Sequence, residues 1–182
     1  MPFDDHIQQA VMHALTAIPA ADTPEIYAIS FLVYDEDDDP QRPTLTIGYN
    51  TESQVESILG DTTGHCPDPL EARWNYAYWL QNELAVICDS TRDPEGAAQR
   101  AQWIQATARF HEHPEQVTTR FVQGCVRLVH SFQEVGLIER AVGHRVPVLI
   151  HELEYYDQIA KQTQAANPAG LADDFVNWVR DQ

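Results

Sequence analysis

The stretch EIYAISFLVY at residues 25–34, followed by DEDDDP at 35–40 and TLTIGY at 44–49, decides the fold. The first segment is apolar on both faces and rich in aromatic and branched side chains, the pattern of a central strand covered on both sides. The acidic, proline-ended run breaks it. Leu45, Ile47 and Tyr49 then alternate with Thr44, Thr46 and Gly48, so the second segment reads as a strand with one apolar face. Together they predict a β-hairpin over 25–50 whose loop carries Asp35, Glu36, Asp37, Asp38 and Asp39.

Helices are expected on either side. Phe3, Ile7, Val11, Ala14 and Ile18 recur at helical spacing before Pro19, with Asp4 and Asp5 at the favourable end of the dipole. Thr51 and Gln54 form a capping-box pattern ahead of Val55, Ile58 and Leu59. The segment 70–88 is predicted helical from Trp74, Ala77, Tyr78, Leu84 and Cys88, although 74–79 also suits a strand. Ala97, Ala101, Ile104 and Ala108 mark another helix. Pro114 opens the longest one, striped by Val117, Phe121, Cys125, Leu128, Phe132 and Val135 and closed by Gly136. A third strand is predicted near 146–153, then helices over 155–166 and 171–179 separated by Asn167-Pro168. Few strands and many helices predict one α+β domain over 1–182, with helices packed on a small, mostly antiparallel sheet rather than a doubly wound nucleotide-binding fold.

Charge is the strongest compositional signal. The 182 residues carry 28 Asp and Glu against 11 Lys and Arg, net −17. Residues 1–60 contain a single base, Arg42, among their acids. Such a surface repels nucleic acid and anionic lipid and steers cationic partners toward itself. Genomic preference for arginine or adaptation to salt would leave the same composition, and would spread the charge over the whole surface. Three widely spaced cysteines, Cys66, Cys88 and Cys125, argue against a disulfide framework and for a reducing compartment. The N-terminal MPFDDHIQQA has neither a basic region nor an apolar run, and no segment approaches the ~20 apolar residues of a membrane span. A soluble cytoplasmic protein is expected.

Candidate chemistry is sparse. His151-Glu152-Leu153-Glu154-Tyr155 places tyrosine where a zinc-protease helix needs its second histidine. His111 and His113 would complete a zinc-compatible set with His65 and Cys66, but nothing in the spacing makes the pairs meet. No phosphate-binding glycine loop is present. The acidic run 35–39 lacks the alternating ligands and glycine of a calcium loop, and its plainest reading is a solvated, mobile hairpin tip. Cys125 falls on an apolar stripe, whereas Cys66 beside His65 is the one plausible reactive thiol. The tryptophans and tyrosines fit core positions better than a binding face. No metal or cofactor is expected.

Three stretches, YAISFLVYDED at 27–37, ARWNYAYW at 72–79 and VPVLIHELEYYDQIAKQTQAANP at 146–168 with DDFVNWV at 173–179, resemble a family of small, stand-alone bacterial proteins of uncharacterised function. Members of such families accompany polymorphic toxins as suspected immunity proteins. The resemblance implies a non-enzymatic protein that occludes a toxin, and it assigns no catalytic residue. Trp74, Asn75, Glu152 and Glu154 are the positions that match its pattern. Acidity and resemblance thus point to a basic protein partner, docked through Asp35, Glu36, Asp37, Asp38 and Asp39, with Asp4, Asp5, Glu52 and Glu56 from the same acidic third. The alternative is an enzyme or small-ligand binder with a site assembled from His65, Cys66, His151 and Glu152.

Overall fold

The computed structural model describes residues 2–61 and 67–182. At its centre, β1 (Ile26–Asp35) pairs antiparallel with β2 (Pro43–Thr51) and parallel with β4 (Val148–His151), while β2 pairs antiparallel with the short β3 (Ala85–Ile87). The sheet order is β3-β2-β1-β4. The predicted α+β architecture is present, with two of its three strand pairings antiparallel. Among the described residues no helix is long and apolar enough to cross a membrane.

Helices cover both faces of the sheet, which is why β1 is apolar throughout. Ile29, Phe31 and Val33 join Leu45, Ile47, Val148 and Ile150 against α1 (Pro2–Thr16), α6 (Gln116–Glu134) and α7 (Leu137–Val142). Ala28 and Leu149 face the other layer, built from α2 (Glu52–Gly60), α3 (Pro69–Trp74), α8 (Asp157–Ala166) and α9 (Asp173–Arg180). Tyr27 belongs to this second layer as well. A register shift between Ile26 and Ala28 accounts for two successive residues on one side.

The stripe expected on the long helix is buried at Val117, Phe121, Cys125 and Phe132; Leu128 is only half-buried, with Val129 turned fully inward beside it, and Val135, just past the last turn, is exposed. Gly136, at φ 67°, takes the left-handed conformation that lets α7 follow α6 directly. The cap of α2 forms as the sequence suggests, with the Thr51 hydroxyl accepting from the Gln54 amide at 3.3 Å. The Gln54 side chain, however, donates to the Tyr78 carbonyl at 3.0 Å instead of closing the box.

The prediction of one helix over 70–88 is overturned. Helix α3 stops at Trp74, a single turn follows at Tyr76–Tyr78, and Ala85–Ile87 forms β3. Asn75 is the reason: its carboxamide caps the new turn by accepting from the Ala77 amide at 3.0 Å. Gln81, at φ 52°, then takes a left-handed conformation incompatible with a helix. Two short helices, α4 (Pro94–Ala106) and α5 (Ala108–Glu112), lead into α6.

The outer edge of β4 is closed by side chains of α8 and the residue after it. Asn167 accepts from the Val148 amide at 2.9 Å and donates to the Val148 carbonyl at 2.8 Å. Thr163 accepts from the Ile150 amide at 3.1 Å, and Gln162 donates to the Ile150 carbonyl at 2.9 Å. The ladder is satisfied as a fifth strand would satisfy it, so this edge offers no template for another chain.

Candidate functional site

Parallel pairing of β1 with β4 brings two separated acidic segments to the same end of the sheet. Leu32 stands opposite His151, where β4 ends, and β1 runs on three residues to Asp35 beside the chain that leaves β4. Asp35 ends one, and Glu152, Leu153 and Glu154 follow the other. Between them lies a cleft of about 230 Å³ lined by Tyr34, Asp35, Thr118, Glu152, Leu153 and Glu154, with Val33 at its base.

The acidic loop is folded down on the domain. Arg100, buried on α4, donates to the carbonyls of Pro43 and Cys88 at 3.0 and 2.9 Å and reaches Glu36 at 3.4 Å. Arg42 approaches the other oxygen of Glu36 at 2.9 Å and also pairs with Asp37. Hydrogen bonds from Ser90, helped by Arg100 and Arg42, hold the Glu36 carboxyl below the usual range. Glu36 is thus an internal anchor.

The other four acids face outward to differing degrees. Asp35 accepts from the Thr118 hydroxyl at 2.7 Å, and burial raises its pKa, with Asp39 and Asp38 adding to the rise. Asp39 accepts from the Gln41 amide at 2.9 Å. Asp37 and Asp38 are exposed and adopt φ of 58° and 56°, a left-handed pair that aspartate tolerates better than most residues.

Large apolar side chains crowd the same end. Tyr34 is 46% exposed, Leu153 63% and Tyr156 45%. The Tyr34 hydroxyl lies 3.5 Å from the Asp38 carboxylate, and that of Tyr156 donates to Glu152 at 3.1 Å. Next to the cleft, sharing Thr118 and Glu152 with it, a wider groove of about 670 Å³ runs between α6 and α8. Arg127 and Lys161 line this groove; no basic residue lines the cleft itself. The expectation of core packing holds for Trp74, Tyr76, Trp79 and Trp178, is met in part at Tyr78, Trp103 and Tyr155, which are half-buried, and fails at Tyr156.

Other sequence candidates fall elsewhere. Asp4 and Asp5 begin α1 in one layer, whereas Glu52 and Glu56 lie on α2 in the opposite layer, where Glu52 holds Arg73 at 2.7 Å. His65 and Cys66 lie outside the described residues. His151 is 1% exposed and ringed by Tyr76, Trp79 and Tyr155, while the Glu152 side chain turns to the cleft. His111 meets the Gln105 carbonyl and His113 meets Glu115. Among the described residues no three His, Cys, Asp or Glu side chains converge as a metal site would require.

Trp74 and Asn75 serve the fold, the one packed edge-on against Tyr27 at 5.5 Å and the other capping a turn. Sequence reasoning passed over Tyr34, Leu153 and Tyr156 as site residues. The alternation along 151–154 put Leu153 on the same face as His151, and only the end of β4 at His151 frees it. Comparison with protein-family models, with curated proteins and with solved structures finds no match for this chain.

Proposed function

We propose that this chain is a non-enzymatic bacterial protein that docks a basic protein partner in the cytosol, as an immunity protein occludes a toxin. The observation that carries the reading is one cleft lined by exposed Tyr34 and Leu153 with Asp35, Glu152 and Glu154, flanked by Asp38 beside the Tyr34 hydroxyl and by Tyr156, which donates to Glu152 from the adjoining groove. Exposed aromatic and leucine side chains supply contact area, and an acidic frame selects and steers a cationic surface. The backbone strain at Asp37 and Asp38 fits a loop held in one shape for recognition.

The test uses immobilised protein to capture partners from bacterial lysate at low and physiological salt, followed by kinetics with the purified partner. The paired change Asp37→Asn with Asp38→Asn should slow association about tenfold at low salt and flatten its salt dependence. Leu153→Ser should mainly speed dissociation. Val135→Asp, 59% exposed at the far end of α6, should change neither. A partner indifferent to the first two variants, or no partner retained at low salt, overturns the reading.

A further inference from the structure

Most basic residues here are answered by carboxylates: Arg42, Arg73, Arg92, Arg100, Arg145, Lys161 and Arg180 each make an ion pair. Arg140 donates to the Val135 carbonyl instead; Arg109, Arg120 and Arg127 also make no ion pair among the described residues, and these three line one groove of about 430 Å³ between α1, α5 and α6. In a chain of net charge −17, three unanswered arginines at one concavity are a local reversal of sign.

The floor of that groove is aromatic. Phe3 stacks on Trp103 with centroids 4.9 Å apart, and Phe110 meets Trp103 edge-on at 4.8 Å. Trp103 is only partly buried. Arg120 and Arg127 are two turns apart on α6, about 10 Å along the axis, so their long side chains reach the groove from either side.

Gly124 stands between them on the same stripe and lines the groove. A glycine inside a helix weakens it, and is expected where something must come close. Nothing in the fold does so: a Cβ at 124 would meet no atom nearer than Arg127 Nη2 at 3.9 Å. Packing therefore accepts alanine at this position, and the glycine keeps the groove open.

We propose that this groove binds a small organic anion with one flat ring and one carboxylate or phosphate group. The ring lies against the exposed part of Trp103, which Phe3 and Phe110 hold in place from below, and the anionic group is held by the guanidinium groups of Arg120 and Arg127, with Arg109 at the rim. Guanidinium recognises both anionic groups through paired hydrogen bonds, and the aromatic floor supplies the area that selects a ring. At physiological ionic strength the distant acids are screened over about 8 Å, so the contacting arginines dominate. Asp4, on the opposite wall, disfavours a ligand with more than one negative group there.

Calorimetric titration of the intact protein tests the site with indole-3-acetate and adenosine monophosphate as ring-bearing anions. Tryptophol and adenosine are the uncharged counterparts, and inorganic phosphate is the anion without a ring. Expected is sub-millimolar binding of at least one ring-bearing anion, at least tenfold tighter than its uncharged counterpart and than phosphate. Arg120→Gln, Arg127→Gln and Gly124→Leu should each weaken it at least tenfold, while Gly124→Ala should raise the unfolding midpoint by about 3 °C. Absence of binding at 5 mM, equal binding of the uncharged molecules or of phosphate, or affinity unchanged by the arginine variants overturns the proposal.

Discussion

The Ser30 hydroxyl stands 2.7 Å from Nε2 of His151 across the parallel β1–β4 pair, and Nδ1 of the same ring lies 2.9 Å from the Glu152 carbonyl. A carbonyl only accepts, so Nδ1 carries the proton and Nε2 accepts from Ser30. The imidazole is neutral, with both nitrogens satisfied, between strands that cannot separate without exposing it.

Burial holds the His151 pKa down to about 4, against 6.5 for the free side chain. A base with a depressed folded pKa supports the fold above its unfolded pKa, and that support is lost as pH falls through 6.5 toward 4. The full loss is about 3 kcal/mol, and about 2 kcal/mol of it is incurred by pH 5. The His151 ring resonances should stay constant from pH 8 to 5 in the native protein. A titration midpoint near 6.5 would show that the ring is not enclosed as described.

Arg100 ties α4 to the acidic loop through the carbonyls of Pro43 and Cys88 and the carboxylate of Glu36. Arg100→Met keeps the apolar stem but leaves the Pro43 and Cys88 carbonyls without their donor and removes one of the two arginines at Glu36. The expected cost is about 2–3 kcal/mol, read as a lower urea midpoint with unchanged slope. Arg100→Lys should recover only part of it, because an ammonium cannot reproduce the planar fork. A loss below about 1 kcal/mol for the methionine variant would mean that the loop is not anchored through this residue.

Asn167 uses its whole carboxamide: Nδ2 donates to the Val148 and Thr163 carbonyls, and Oδ1 accepts from the Val148 amide and from Gln133. Asn167→Asp keeps the shape and turns the two donors into an acceptor facing two carbonyls. It should cost about 3 kcal/mol or more at neutral pH and lose part of that penalty as the carboxyl is protonated in acid. Denaturant titrations at pH 7 and pH 5 measure both effects. An aspartate variant as stable as wild type at pH 7 would rule out the edge-closing role.

Much of the fold was legible because it is local. The two-sided apolarity of 25–34 requires cover on both faces, the alternation at 44–49 sets a hairpin, and the Thr51 cap and the stripe of α6 follow from short-range spacing. The segment 70–88 was misread because its aromatic residues satisfy helical and extended spacing alike. The decision came from Asn75 and from Asn82, which accepts from the Tyr49 amide at 2.9 Å and whose backbone lies too close to Gly48 for any side chain there.

The acidic loop was visible in the sequence as charge, but its division was not. Whether Glu36 points inward depends on Arg100 and Ser90, residues 64 and 54 positions away. By itself the sequence determined the net charge, the hairpin and the helical layers, since those depend on composition and on periods of two and 3.6 residues. Only the tertiary structure decided that β4 lies parallel beside β1, setting Glu152 and Leu153 next to Tyr34 and Asp35, and that Arg109, Arg120 and Arg127 share a groove. Such juxtapositions come from strand order and helix packing, which act between residues too far apart in the chain for any local pattern to record.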